Sequence, residues 1–221
     1  MGKQTFFFDM DGTLLDSMFY WMSLKWRICD NYYKRTNQKI ILTKEETKKL
    51  ESLSVRGAVN YINRCHNTKI DYNLDCMESL RRFYLKECKL KPGVLKMLET
   101  CRKNKIKMAV LTATPKDIAI EALSACGIRD YFSFVLSPKQ VKGGKFHRPF
   151  FVVACLLARA FPKNCVLIDD ADYAHKTAKK LGIRTIGIYD QYRDNILDDI
   201  CDESFENFSE LYDYYVKNNK L

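Results

Sequence analysis

The sequence predicts an α/β protein whose parallel sheet is covered by helices on both faces and interrupted by an all-helical insert. Three observations carry that expectation. After Lys91-Pro92-Gly93, short apolar runs alternate with helix-length segments, the pattern of a parallel sheet buried on both sides. One further apolar run, Gln4–Phe8, stands alone near the start. Between it and Lys91, from about Leu15 to Leu90, helical spacing replaces strand-like runs, so this stretch reads as an insert between the first strand and the rest.

Taken in order, Gln4–Phe8 is short, aromatic and unbroken, as a buried strand would be. Within the insert, Met18, Trp21, Met22, Ile28 and Tyr32 recur as one face of a helix. Thr43-Lys44-Glu45-Glu46 has the form of a capping box and predicts a helix start. Ser54 is placed to cap the next helix, with Val55, Val59 and Ile62 inward, and Leu74, Met77, Leu80, Tyr84 and Cys88 mark another. After Gly93, helices at about 94–104, 115–126, 149–160 and 172–181 precede strands at 106–111, 133–136, 165–168 and 184–188. The expected division is 1–15 with 91–221 as the core and 16–90 as the helical insert, with linkers near Leu14–Ser17 and Leu90–Gly93 on which the insert would open and close.

Composition narrows the class. With 221 residues, 47% hydrophobic and 29% charged, the chain suits one sizeable core plus a small domain rather than a disordered segment. No apolar run approaches the ~20 residues of a membrane helix, and the amino terminus lacks a signal-like apolar stretch. Gly2 is not followed by the Ser or Thr at position 6 that a myristoylation signal wants. A cytoplasmic protein without membrane attachment is expected. Nine cysteines, odd in number and with no Cys-x-x-Cys, fit neither a disulfide framework nor a zinc site. The net charge of +10 is spread along the chain, which suits a solvated lysine-rich surface or attraction of small anions better than a nucleic-acid stripe. Oligomeric state is open in the sequence, a monomer being the simpler expectation.

In open parallel sheets, ligands bind outside the carboxyl ends of the strands. The first strand ends in Asp9-Met10-Asp11-Gly12-Thr13, the second in Thr112-Ala113-Thr114 and the fourth in Asp169-Asp170, while Val141-Lys142-Gly143-Gly144-Lys145 follows the third. Acids, a hydroxyl and a lysine would therefore meet on one rim. Each piece has a plainer structural alternative: a turn at Asp9–Thr13, a helix cap at Asp169-Asp170, a surface lysine. Together their chemistry is coherent. Clustered carboxylates repel one another unless a cation sits among them, and oxygen-only ligands suit Mg²⁺. A carboxylate can attack phosphorus, a second can protonate the leaving alcohol and activate water, and a hydroxyl and a lysine can hold phosphate oxygens.

In these motifs the chain resembles the haloacid dehalogenase-like superfamily over nearly its whole length. Asp9-Met10-Asp11-Gly12-Thr13 is similar to its first motif, Thr112 to the second, Lys145 to the third and Asp170 to the fourth, with Asp169 completing an acid pair. "DGTLLDS", "LKPGVLKML" and "LGIRTIGI" resemble the β-phosphoglucomutase and phosphoglycolate phosphatase branch. The resemblance implies a Rossmann-like three-layer core with an inserted helical cap. It also implies Asp9 as nucleophile, Asp11 as general acid/base, phosphate contacts from Thr112, Ala113 and Lys145, and Mg²⁺ held by Asp9, Asp170 and the Asp11 carbonyl, with Asp169 of the acid pair as a further metal candidate. Arg56, at the start of a cap helix, is a candidate phosphate ligand or a surface arginine. Asp11 argues against carbon–halogen chemistry, since dehalogenases of the superfamily lack the second acid. The expected reaction is hydrolysis of a small phosphorylated metabolite, with a sugar phosphomutase as the alternative and a non-catalytic binding module as a weaker one. Two departures stand out. Lys145 precedes Phe146-His147-Arg148-Pro149 instead of Pro-x-Pro, leaving Lys142 as a competitor, and Ala174 stands where a glycine is common.

Overall fold

The computed structural model describes residues 4–51, 53–141, 143–193 and 196–218. It divides into two compact units, 1–18 with 88–221 and 19–87.

The larger unit is built on a six-stranded sheet. Its strands are β1 (Thr5–Phe8), β4 (Lys107–Leu111), β5 (Val135–Leu136), β6 (Cys165–Asp169), β7 (Arg184–Ile188) and β8 (Glu203–Phe205). Their spatial order is β5-β4-β1-β6-β7-β8, every pair parallel. The three phenylalanines of β1 explain why it lies at the centre. Phe6 and Phe8 turn to one face, where they meet Tyr215 and Phe208 of helix α9 (Phe208–Lys217) at ring-centroid distances of 6.1 and 6.2 Å. Phe7 turns to the other face and joins Phe150, Phe151 and Ala154 of helix α7 (Arg148–Ala158) and Ala174 and Ala178 of helix α8 (Asp172–Lys179). A strand buried on both faces has no reason to alternate with polar residues, and this one does not. Burying each such ring contributes about 1.5–3 kcal/mol.

Helices α5 (Val94–Lys103) and α6 (Lys116–Ala125) complete the layers. A small antiparallel pair, β2 (Leu15–Asp16) with β3 (Lys89–Leu90), joins the two linkers. Since the segment 15–90 reads as strand-free, this pair is a correction; two residues are too few for a pattern. The β5 ladder is also shorter than the expected 133–136, although Ser133 N–H still donates to Met108 O at 2.8 Å, so the pairing begins where expected.

The smaller unit is helical: α1 (Met18–Thr36, its first residue in the larger unit), α2 (Lys44–Glu51), α3 (Val55–His66), a π-helical turn at Tyr72–Met77 and α4 (Glu78–Lys86). The expected capping box is formed: Thr43 N–H donates to Glu46 Oε2 at 2.8 Å, and Glu46 N–H to Thr43 Oγ1 at 3.2 Å. Ser54 Oγ accepts from Gly57 N–H. Two faces differ from expectation. On α1 the buried row is Tyr20, Leu24, Ile28 and Tyr32, four apart, while Met22 is 53% exposed. The single helix expected from Leu74 to Cys88 breaks into the π-helical turn and α4, leaving Leu74 half exposed. The reason for the π turn is visible: buried Asp75 accepts from Asp71 N–H at 2.8 Å and pairs with Arg35 at 2.6 Å, drawing the chain off α-helical register.

Candidate active site

The register of the sheet decides which side chains meet. Phe8 aligns with Val110 on one side and Ile168 on the other, and Asp9 N–H continues the ladder to Ile168 O at 2.8 Å. Asp9, Thr112 and the Asp169-Asp170 pair thus emerge together at the carboxyl edge, where the chain's path diverges to either side of β1.

Carboxylate oxygens of Asp9, Asp169 and Asp170 all lie within 4.8 Å of one another, and the three residues are buried. Burial drives the Asp9 carboxyl well above its ordinary value. Lys145 opposes that shift, and the neighbouring carboxylates add to it. Burial likewise lifts Asp170 to about 6 against the pull of Arg193. Lys145, 5% exposed, donates from Nζ to Asp9 Oδ1 and, at 2.8 Å, to Asp169 Oδ2. Burial alone would lower its ammonium, but Asp169 and Asp9 outweigh burial and raise it. Asp169 Oδ1 accepts from Ala171 N–H at 2.9 Å, so both of its oxygens are engaged.

Asp11 is held differently. Its Oδ1 accepts from Ser17 Oγ and its Oδ2 from Thr114 Oγ1, both at 2.7 Å. Thr112 is buried, with its Oγ1 accepting from Thr114 N–H at 3.0 Å, and Ala113 is exposed between the two threonines. Thr13 Oγ1 donates to Asp170 Oδ1 at 3.2 Å, and Arg193 Nε to Asp170 Oδ2. Lys91 Nζ ties the loop from the side, donating to Gly12 O and Asp190 Oδ2, each at 2.7 Å.

Asp9, Asp11, Thr112, Lys145, Asp169 and Asp170 are therefore brought to one rim. Arg56 belongs to the other unit: it is exposed on α3, its guanidinium 3.9 Å over the Tyr72 ring. Lys142 lies outside the described residues. Ser17, Thr114, Thr13, Lys91 and Arg193 join the site without a role expected from the sequence. Thr13 and Ser17 lie within the first-motif run, and the spacing of Thr112-Ala113-Thr114 returns its second hydroxyl to the same side of the strand end. The missing Pro-x-Pro also has an answer. Gly143 and Gly144 take positive φ, a one-turn helix carries Lys145, and Phe146 stacks on Tyr173 at 3.9 Å and 8°, anchoring that turn.

A match to the haloacid dehalogenase-like hydrolase family model covers residues 6–188. The chain belongs to that family. A phosphorylated carbohydrates phosphatase of Thermotoga maritima is 27% identical over 81% of this chain and 82% of its own. The β-phosphoglucomutase of Bacillus subtilis is 23% identical over 82% and 81%. A crystal structure described as a putative β-phosphoglucomutase from Thermotoga maritima superposes with a TM-score of 0.79, covering 99% of this chain and all of the other, at 22% identity. The fold is the family's Rossmann-like core with a helical cap, and the protein is a phosphohydrolase of haloacid dehalogenase-like type. Among the described residues no helix is long and apolar enough to cross a membrane.

Within the family's first motif, Gly12 is sterically required. It sits at φ +84°, and a Cβ there would stand 2.6 Å from Asp170 Oδ2 and 2.8 Å from Met18 Cγ. Gly12→Ala is expected to cost about 2 kcal/mol from backbone strain, lowering Tm by roughly 4–8 °C for a chain of this size. Thermal denaturation checks it; an unchanged Tm would show that the loop relaxes freely.

Proposed function

We propose that this protein is a Mg²⁺-dependent phosphatase that hydrolyses the monoester of a small phosphorylated metabolite, a sugar phosphate first, through an aspartyl-phosphate on Asp9. The observation that carries the reading is the pairing of two unlike acids two residues apart: Asp9 buried against Lys145, and Asp11 held by two hydroxyls. Asp9 attacks phosphorus and the leaving oxygen departs with a proton from Asp11. Asp11 then takes a proton from the water that opens the acyl phosphate, returning Asp9 as a carboxylate. Thr112 Oγ, the Ala113 N–H and the Lys145 ammonium bind phosphate oxygens and offset charge as it builds. Arg56 of the helical unit is kept as a candidate anion ligand.

The acid cluster fits Mg²⁺. Its donors are all oxygen, and the upward shifts of Asp9 and Asp170 mark a site that gains from a cation. Asp9 and Asp170 would hold the ion through their carboxylates and Asp11 through its carbonyl. Its role is to neutralise phosphate charge and orient the ester. Asp169, also expected from its place in the acid pair as a ligand, is better read as the residue that orients Lys145, because both of its oxygens are already engaged.

The test is release of inorganic phosphate from a panel of sugar phosphates and other small esters. Turnover is expected with Mg²⁺ and none in chelator. Because Asp170 lies near 6 in the folded protein, protons compete for it below that value; half-maximal Mg²⁺ should rise as pH falls from 7.5 to 5.5. A phosphomutase is the second reading, favoured by the match to β-phosphoglucomutase along four-fifths of the chain, and would show as an isomerised sugar phosphate without stoichiometric phosphate. No turnover of any ester, with or without Mg²⁺, would leave a binding module.

A further inference from the structure

Arg193 is a cation that the family chemistry just described does not use. It follows β7 on a turn that is firmly built. Arg193 N–H donates to Asp190 O at 2.9 Å, and Tyr192 N–H to Asp190 Oδ1 at 2.9 Å. The other oxygen of Asp190 is fixed by Lys91 at 2.7 Å, and Lys91 in turn holds Gly12 O. The turn is thus tied to the loop that carries Asp9 and Asp11. From it the guanidinium reaches fully buried Asp170, Nε donating to Oδ2, while Thr13 occupies Oδ1. Burial works against its charge, but Asp170 and Asp9 hold it protonated, with Asp169 adding to the effect.

We propose that Arg193 is a built-in counter-ion that competes with the divalent cation for Asp170, so that the cation must displace the guanidinium before the site is loaded. The inference rests on the Mg²⁺ reading. Thr13 donates to Oδ1 and Arg193 to Oδ2, so a cation entering among the acids meets a donor on each Asp170 oxygen and the positive charge of the guanidinium beside it. Leaving this buried carboxylate without a compensating charge would be costly, which gives the arginine a purpose: it holds Asp170 and keeps the strand end ordered until the metal arrives. When the guanidinium occupies Asp170 nine-tenths of the time, the apparent metal affinity falls about ten-fold, because only the remaining tenth is competent.

The experiment is calorimetric titration of Mg²⁺ and Mn²⁺ into the metal-stripped full-length protein, wild type against Arg193→Gln, with Tm measured in chelator and in saturating Mg²⁺. Arg193→Gln is expected to bind the cation about ten-fold more tightly, with a lower Tm in chelator that returns to the wild-type value when Mg²⁺ is saturating. If the glutamine variant does not fold, Arg193→Lys keeps the charge, loses the planar fork, and is expected to tighten binding by a smaller factor. Unchanged or weaker cation binding in whichever variant folds overturns the proposal and leaves the Mg²⁺ reading standing, since the wild type still binds. Failure of both wild type and variant to bind any divalent cation overturns both. Tight binding by the variant alone supports the counter-ion role in its strongest form.

Discussion

Asp9→Asn is expected to lower phosphate release by at least about 10³-fold while leaving Tm in chelator unchanged or higher. The amide is nearly isosteric but cannot form an acyl phosphate, so the covalent route closes; removing the nucleophile of a concerted site costs most of its rate. The stability half of the expectation follows from the environment. Burial, then the Asp169, Asp170 and Asp11 carboxylates, all disfavour a charged Asp9, and Lys145 is the main group that offsets them. The sign is fixed by linkage. A carboxyl whose folded value is raised contributes its stability below its unfolded value and loses it as pH rises through the folded one. Ionising Asp9 therefore works against folding, and a neutral side chain removes that penalty. Active-site residues commonly trade stability for function in this way. Phosphate assay and thermal denaturation on the same preparation check both halves. Activity within ten-fold of wild type would end the aspartyl-phosphate route, and a large fall in Tm would mean that the Lys145 pair outweighs the repulsion.

The strands that position the site were legible because they are buried on both faces. The runs at β1, β4, β6 and β7 are buried along nearly their whole length, and the acids and the hydroxyl could be read from where those runs stop. Elements that escape such reading lack the burial that writes a pattern. β8 is three residues at the sheet edge with one buried side chain, and β2 and β3 have two residues each. Helix α9 is a different case: Phe208, Leu211 and Tyr215 are buried at helical spacing, a signal present in the sequence but not read from it. Within the site, the legible acids and hydroxyl follow directly on strand ends, and Lys145 sits on the short turn after β5. Lys91 and Arg193 reach it from loops, across 79 residues to Gly12 and 23 to Asp170. Their direction depends on turn geometry, which no local pattern encodes.

The second large effect is expected at Lys145, and its sign is opposite to that of Asp9 where stability is concerned. Lys145→Met keeps the length of the side chain and removes the ammonium. Two buried carboxylates, Asp9 and Asp169, then lose the donor they share. Breaking a buried ion pair by deleting one partner costs about 3–5 kcal/mol, so Tm should fall clearly. Catalysis should fall about 10²–10³-fold, the effect of removing a preorganised donor from developing charge. Loss of stability alone would not slow protein that remains folded, so kcat measured well below Tm separates the two. Lys142→Met is the control, expected to leave kcat and Tm near wild type; the reverse result would move the phosphate-binding role to Lys142. The sharper measurement is a double-mutant cycle. If the ammonium serves chiefly to offset Asp9, Asp9→Asn should recover part of the stability that Lys145→Met loses, giving a coupling energy well above the ~0.5 kcal/mol of independent sites. Additive effects would place the worth of Lys145 with Asp169 instead, making that pair the structural half of the site and leaving Asp9 to chemistry alone.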